Sequence, residues 1–228
     1  MHPLRLPFAT VVAVISAFAC VSAWTAAPLY SPAEVRAAAS TGPAEGTEYP
    51  PADSHGWKAP AAPSAARAVA YYPNGSVVVE QRFWSAALAR EMHYRLYLPP
   101  GYVLEWRDYP VLYMLHGVAG GSSEWEELGL LEAADRLIAA GEIAPLLIVL
   151  PDGGPNYWVD HADGARWRDF VVSDIVPNVG RLYRTHPVRA ARAIGGLSMG
   201  GEGALRIALL HPDIFGIAAA HAPSLRTS

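Results

Sequence analysis

Between residues 192 and 210 the sequence changes its hydrophobic period with no linker in between. The run Arg-Ala-Ile-Gly-Gly-Leu, ending at Leu197, is short and apolar, as a buried strand should be. The residues from Met199 to Leu210 repeat their apolar members at helical spacing. Only Ser198 separates the two, within Gly196-Leu197-Ser198-Met199-Gly200. A strand that passes straight into a helix turns so sharply that side chains two positions either side of the corner would collide, and both positions are glycine, Gly196 and Gly200. A serine at the corner sits on strained backbone with its hydroxyl exposed above the sheet. The helix that begins at once aims its positive end at any anion formed there. Few folds accommodate such a corner, and those that do place it at the carboxyl end of a sheet strand.

The rest of the chain supplies that sheet. Residues 77–84 and 92–98 read as strands, the second alternating and partly exposed. Residues 111–115 and 146–150 are continuously apolar, as strands covered on both faces should be. A helix follows the first of these. Ser123 and Glu126 form a capping box, Trp125, Leu128, Leu131, Ala134 and Ile138 share a face, and Gly141 ends it. Residues 170–183 read as a helix kinked at Pro177, and residues 214–220 as a last strand. Strands alternating with helices predict an α/β fold with a mostly parallel sheet flanked by helices.

Composition bounds the function. The chain has 228 residues, enough for one sizeable core. Its formal net charge of −4, with no long basic run, argues against nucleic acid as a partner. The eight histidines are scattered and show no metal-ligand spacing, so neither a metal nor another cofactor is expected. The single cysteine, Cys20, permits no internal disulfide. Arg5 precedes an apolar run that ends at the small residues Val21-Ser22-Ala23, which reads as a signal peptide over residues 1–23. Cleavage would leave a secreted, extracytoplasmic protein with no stable membrane association; lipid attachment at Cys20 is the alternative. Residues 24–70 are rich in Ala and Pro and read as a mostly disordered linker, with a marginal helix at 31–39. The folded domain is expected over residues 71–228.

In such a sheet, chemistry sits beyond the carboxyl ends of the strands. His116-Gly117-Val118-Ala119-Gly120-Gly121 follows one of the apolar strands, where a backbone N–H can face the serine corner. Acyl transfer needs two N–H donors at the developing oxyanion. Met199, next after the serine, offers one; Val118 is expected to offer the other, with His116, Gly117, Gly196 and Gly200 shaping the two turns.

Four segments together carry a family resemblance: Tyr97-Leu98-Pro99-Pro100-Gly101-Tyr102, residues 109–117, Pro151-Asp152-Gly153-Gly154, and Gly196-Leu197-Ser198-Met199-Gly200-Gly201. From about Tyr71 onward the chain resembles the esterase family of α/β-hydrolases that takes in feruloyl esterases, S-formylglutathione hydrolase, enterochelin esterases and the antigen 85 mycolyltransferases. The resemblance implies the α/β-hydrolase fold, Ser198 as nucleophile, Val118 and Met199 amides as oxyanion hole, and no cofactor. The export signal fits its feruloyl and acetyl esterase branch, so the expected partner is a small-molecule or polysaccharide-linked ester.

The family places an acid and a histidine several tens of residues beyond the serine. Here 30 residues follow Ser198, so the last strands of the fold are expected to be missing and the triad acid and base absent. Glu202 lies one turn past the serine, and His211 about 20 Å down the same helix. His221, and less so His116, remain as improvised bases. The expected function is therefore a secreted serine esterase working through an acyl-enzyme on Ser198, weak or inactive as this chain stands. An acyltransferase or a non-catalytic extracellular binding module are the alternatives.

Overall fold

A computed structural model describes residues 66–105 and 107–224. The expected signal peptide, most of the expected linker and the helix expected at 31–39 lie outside the described residues. The elements are β1 (Arg67–Tyr71), β2 (Val77–Ser85), β3 (Arg90–Leu98), β4 (Val111–Leu115), α1 (Glu124–Glu127), α2 (Leu130–Ala139), β5 (Leu147–Pro151), α3 (Trp167–Asp169), a π-helical turn (Phe170–Ile175), α4 (Val176–Leu182), β6 (Arg192–Leu197), α5 (Met199–Leu210) and β7 (Ile217–His221).

The seven strands form one sheet in the order β1-β2-β3-β5-β4-β6-β7. Strands β5, β4, β6 and β7 run parallel, β3 runs against β5, and β2 against β3, so β2 points the same way as the parallel set. β4 and β5 are buried throughout because both faces are covered. The period of two along β4 splits its side chains. Val111, Tyr113 and Leu115 join Phe170, Ile175 and Ile207 on one face. Leu112 and Met114 join Leu130, Leu131 and Leu137 of α2 on the other. Each such aliphatic side chain withdrawn from water contributes about 1.5–3 kcal/mol, an upper figure for a compact unfolded chain. This two-sided burial fixes β4 and β6 as neighbours, which brings the loop after β4 beside the Ser198 corner.

Several expectations are corrected. The first strand begins at Arg67, inside the segment read as linker to residue 70. It is a largely exposed edge whose Val69 and Ala70 pack on the core, so its apolar pattern is weak. The helix read across 123–141 breaks at Gly129, which takes φ +83°. Its capping box does not form: Ser123 Oγ donates to Glu127 at 2.7 Å, while Glu126 accepts from Arg95. At 170–183 the irregularity precedes Pro177. The proline sits in the first turn of α4, directly after the π turn, where a helix tolerates a residue without an N–H. The strand read over 214–220 starts later. Ile214 is still turning on His211 O, and Gly216 N–H on Arg192 O opens the pairing of β7.

Among the described residues no helix is long and apolar enough to cross a membrane. Among them, too, no group of three His, Cys, Asp or Glu is placed to hold a metal ion.

Candidate active site

Ser198 stands between β6 and α5 at φ 53° and ψ −113°, outside the regions open to L-residues at low cost. Three bonds over-determine that geometry. Its N–H donates to His221 O at 2.9 Å, and its carbonyl accepts from Glu202 N–H at 3.0 Å and Ser224 N–H at 3.2 Å. Both flanking glycines are sterically required. A Cβ on Gly196 would collide with Gly200 O. One on Gly200 would collide with Leu115 O and stand 2.6 Å from His116 O. Gly200 therefore answers to the end of β4 as well as to the corner, and this contact welds the two turns of the site together.

Met199 is fully buried and opens α5. As the first helical residue its N–H has no partner within the helix. Its thioether accepts the Tyr157 N–H at 3.2 Å. Tyr157 and Trp158, on the loop after β5, both hold φ 55°.

The loop 116–121 lies alongside. The His116 ring is buried, not open to the serine: its Nδ1–H donates to Gly117 O at 2.7 Å, and it packs on Trp158 with ring centroids 4.9 Å apart. Two indoles hold the strand end beneath, Trp125 Nε1–H on Leu115 O at 3.1 Å and Trp158 Nε1–H on His116 O at 3.2 Å. Gly117 N–H donates to Glu124 Oε2 at 2.6 Å, and Gly120 N–H to Gly117 O at 3.1 Å. On the far side, Ser122 N–H donates to Asp152 Oδ1 at 3.0 Å, and Asp152 faces His93 at 3.6 Å. The Val118 side chain is half exposed, and its N–H donates to no protein acceptor among the described residues.

The residues singled out by sequence therefore divide. Ser198, Met199, Gly196, Gly200, Gly117 and Val118 converge where β4 and β6 end. His116 faces inward and serves the loop. His221 lies beside Leu197 in register and meets Ser198 through its backbone carbonyl. Among the described residues no imidazole hydrogen-bonds the Ser198 hydroxyl; those that do bond are His93 to Ser122, His116 to Gly117 O and His161 to Asn156 O. Glu202 is buried and pairs with Arg206 at 2.8 Å. Sequence reasoning missed Glu124 and Trp158. The acid beside Trp125 in a glycine-rich turn was the available signal, overshadowed by the capping pattern that pointed to Glu126.

A sheet of this topology with a strained serine at a strand-to-helix corner defines the α/β-hydrolase class. The sequence profile of the family described as "Putative esterase" matches residues 85–228, and the chain belongs to that family. It is 34% identical over 145 residues to an esterase of Mycobacterium tuberculosis, covering 61% of this chain and 31% of that one. Against a ferulic acid esterase structure the TM-score is 0.61 at 33% identity, over 65% of this chain and 59% of the other. Against the ferulic acid esterase of Anaeromyces mucronatus in complex with ferulic acid it is 0.57 at 27% identity, over 65% and 58%. The chain thus spans about a third of the mycobacterial relative and under two thirds of either structure.

Proposed function

We propose that this chain carries the nucleophile and oxyanion-binding half of a secreted serine esterase acting on carboxylic esters of the feruloyl or acetyl type. The observation that carries the reading is Ser198 at φ 53° and ψ −113° at the head of α5. Its hydroxyl attacks the ester carbonyl, and the electron pair moves onto the carbonyl oxygen, where the Val118 and Met199 N–H groups meet the charge. A histidine, backed by a carboxylate, takes the serine proton and returns it to the departing alcohol, leaving the acyl group on Ser198. Water then repeats the sequence and frees the acid. Among the described residues no imidazole hydrogen-bonds the Ser198 hydroxyl, so these residues alone are expected to give slow turnover. Export would remove residues 1–23.

The test is a fluorophosphonate probe together with a nitrophenyl ester. The probe should label Ser198, and Ser198→Ala should remove both label and hydrolysis, a loss of up to about a million-fold where a full triad operates. Label on another serine, or hydrolysis that survives Ser198→Ala, would overturn the reading.

A further inference from the structure

The peptide that bears the Val118 N–H is planar and trans, so that N–H points opposite to the Gly117 carbonyl. The carbonyl is pinned from one side by Gly120 N–H at 3.1 Å and His116 Nδ1–H at 2.7 Å. The preceding peptide is held at both ends: its carbonyl, His116 O, accepts the Trp158 indole N–H at 3.2 Å, and its N–H, on Gly117, is held by the Glu124 carboxylate at 2.6 Å. That carboxylate fills the concave side of the loop. A Cβ on Gly120 would collide with it, and one on Gly117 would stand 3.3 Å from Oε1. The loop is therefore moulded on Glu124, with glycine where the carboxylate comes closest.

The anchor itself is rigid. Glu124 opens α1, and its neighbour Trp125 is buried with its indole bonded to Leu115 O at the root of the same loop. A hydrogen bond to a carboxylate is roughly twice as strong as one between neutral groups. With the peptides on both sides of Gly117 held, rotation about that residue cannot swing the Val118 N–H away.

We propose that Glu124 is a positioning residue of the oxyanion hole, holding the Gly117 N–H so that the Val118 N–H stays aimed at the developing oxyanion. This rests on the reading of Ser198 as nucleophile and Val118 as donor. Removing an oxyanion donor outright costs about a hundred- to a thousand-fold in kcat; loosening one should cost about tenfold. Because the contact matters only when charge develops, KM should hardly move.

The experiment compares the full chain with Glu124→Ala, Glu124→Gln and Glu127→Ala, an exposed acid of the same short helix. On a nitrophenyl ester, Glu124→Ala should lose about tenfold in kcat with KM within about twofold. Glu124→Gln keeps a side-chain acceptor and should recover most of the loss; Glu127→Ala should match the parent. In amide NMR spectra the Val118 resonance should broaden in Glu124→Ala, as the loop samples several conformers, and stay sharp in Glu124→Gln. An unchanged kcat in Glu124→Ala, with Ser198→Ala inactive, overturns the positioning role and leaves the nucleophile standing. Activity that survives Ser198→Ala overturns the reading beneath it. If no ester is turned over, the Val118 resonance decides: a sharp signal in Glu124→Ala sinks the proposal.

Discussion

Ser198 pays for its position in backbone strain, and that strain can be measured apart from its chemistry. A non-glycine residue held at φ 53° and ψ −113° costs about 1–3 kcal/mol. Glycine adopts the same angles freely but loses roughly 0.5–1 kcal/mol through its larger unfolded-state entropy. Ser198→Gly should therefore stabilise the domain by about 1 kcal/mol and raise Tm by about 2–4 °C, while abolishing any hydrolysis. Ser198→Ala keeps its Cβ and hence the strain, so its Tm should match the parent. Calorimetry of the two variants checks this, and a glycine variant no more stable than the alanine variant contradicts it. The serine was legible in sequence because sterics demand glycine at both Gly196 and Gly200. Glu124 was not, because its contact depends on how the loop curls back on α1, and no periodicity records that.

The same substitution made on two helices should act with opposite sign. Alanine in place of a helical glycine gains about 1 kcal/mol from backbone propensity alone. On α4, Gly180 is exposed, and a Cβ would meet only Thr185 Oγ1 at 3.8 Å, so Gly180→Ala should be stabilising by about that amount. On α5, a Cβ at Gly203 would stand 2.6 Å from the Cβ of Trp158. Trp158 cannot yield: it is fully buried, its N–H bonds Asn156 Oδ1 at 2.6 Å, and its indole bonds His116 O. Overpacking of this kind costs about 1–3 kcal/mol and should outweigh the gain, leaving Gly203→Ala destabilised. Urea midpoints at a constant m-value decide the signs. At this scale the sequence spoke where burial is two-sided or the helical period strong, as in β4, β6 and α5. It was silent where one residue decides. Gly129 looks like any tolerated helical glycine until its φ of +83° breaks the helix, and β1 is too exposed to show a pattern.

Across the whole molecule, buried phenols occupy both faces of the sheet. Tyr94 and Tyr113 lie in one core cluster and Tyr97 in the other. Burial pushes all three phenols well above the ordinary tyrosine value of 10.0, because the phenolate would lose its hydration. Tyr183, less deeply placed, is pushed up to about 12, by burial first and by neighbouring Tyr102 second. Below pH 10 these groups are protonated in both folded and unfolded chains and stability does not depend on them. Above pH 10 the unfolded chain releases protons that the folded one keeps. Stability then falls as pH rises, by about 1 kcal/mol per fully buried tyrosine for each pH unit. Three such groups should remove about 3 kcal/mol between pH 10 and pH 11, a large share of the 5–15 kcal/mol typical of a domain. Because the phenols sit on opposite faces of one sheet, local loosening cannot expose them all, and both layers should unfold in a single transition. Urea denaturation at pH 8, 10 and 11, followed together with phenolate absorbance, measures this. Tyr113→Phe, which removes one of the three phenols, should flatten the slope by about a third with little effect at pH 8. A parent chain as stable at pH 11 as at pH 8, or phenolate appearing well before unfolding, would show that these side chains are not sealed in the core as described.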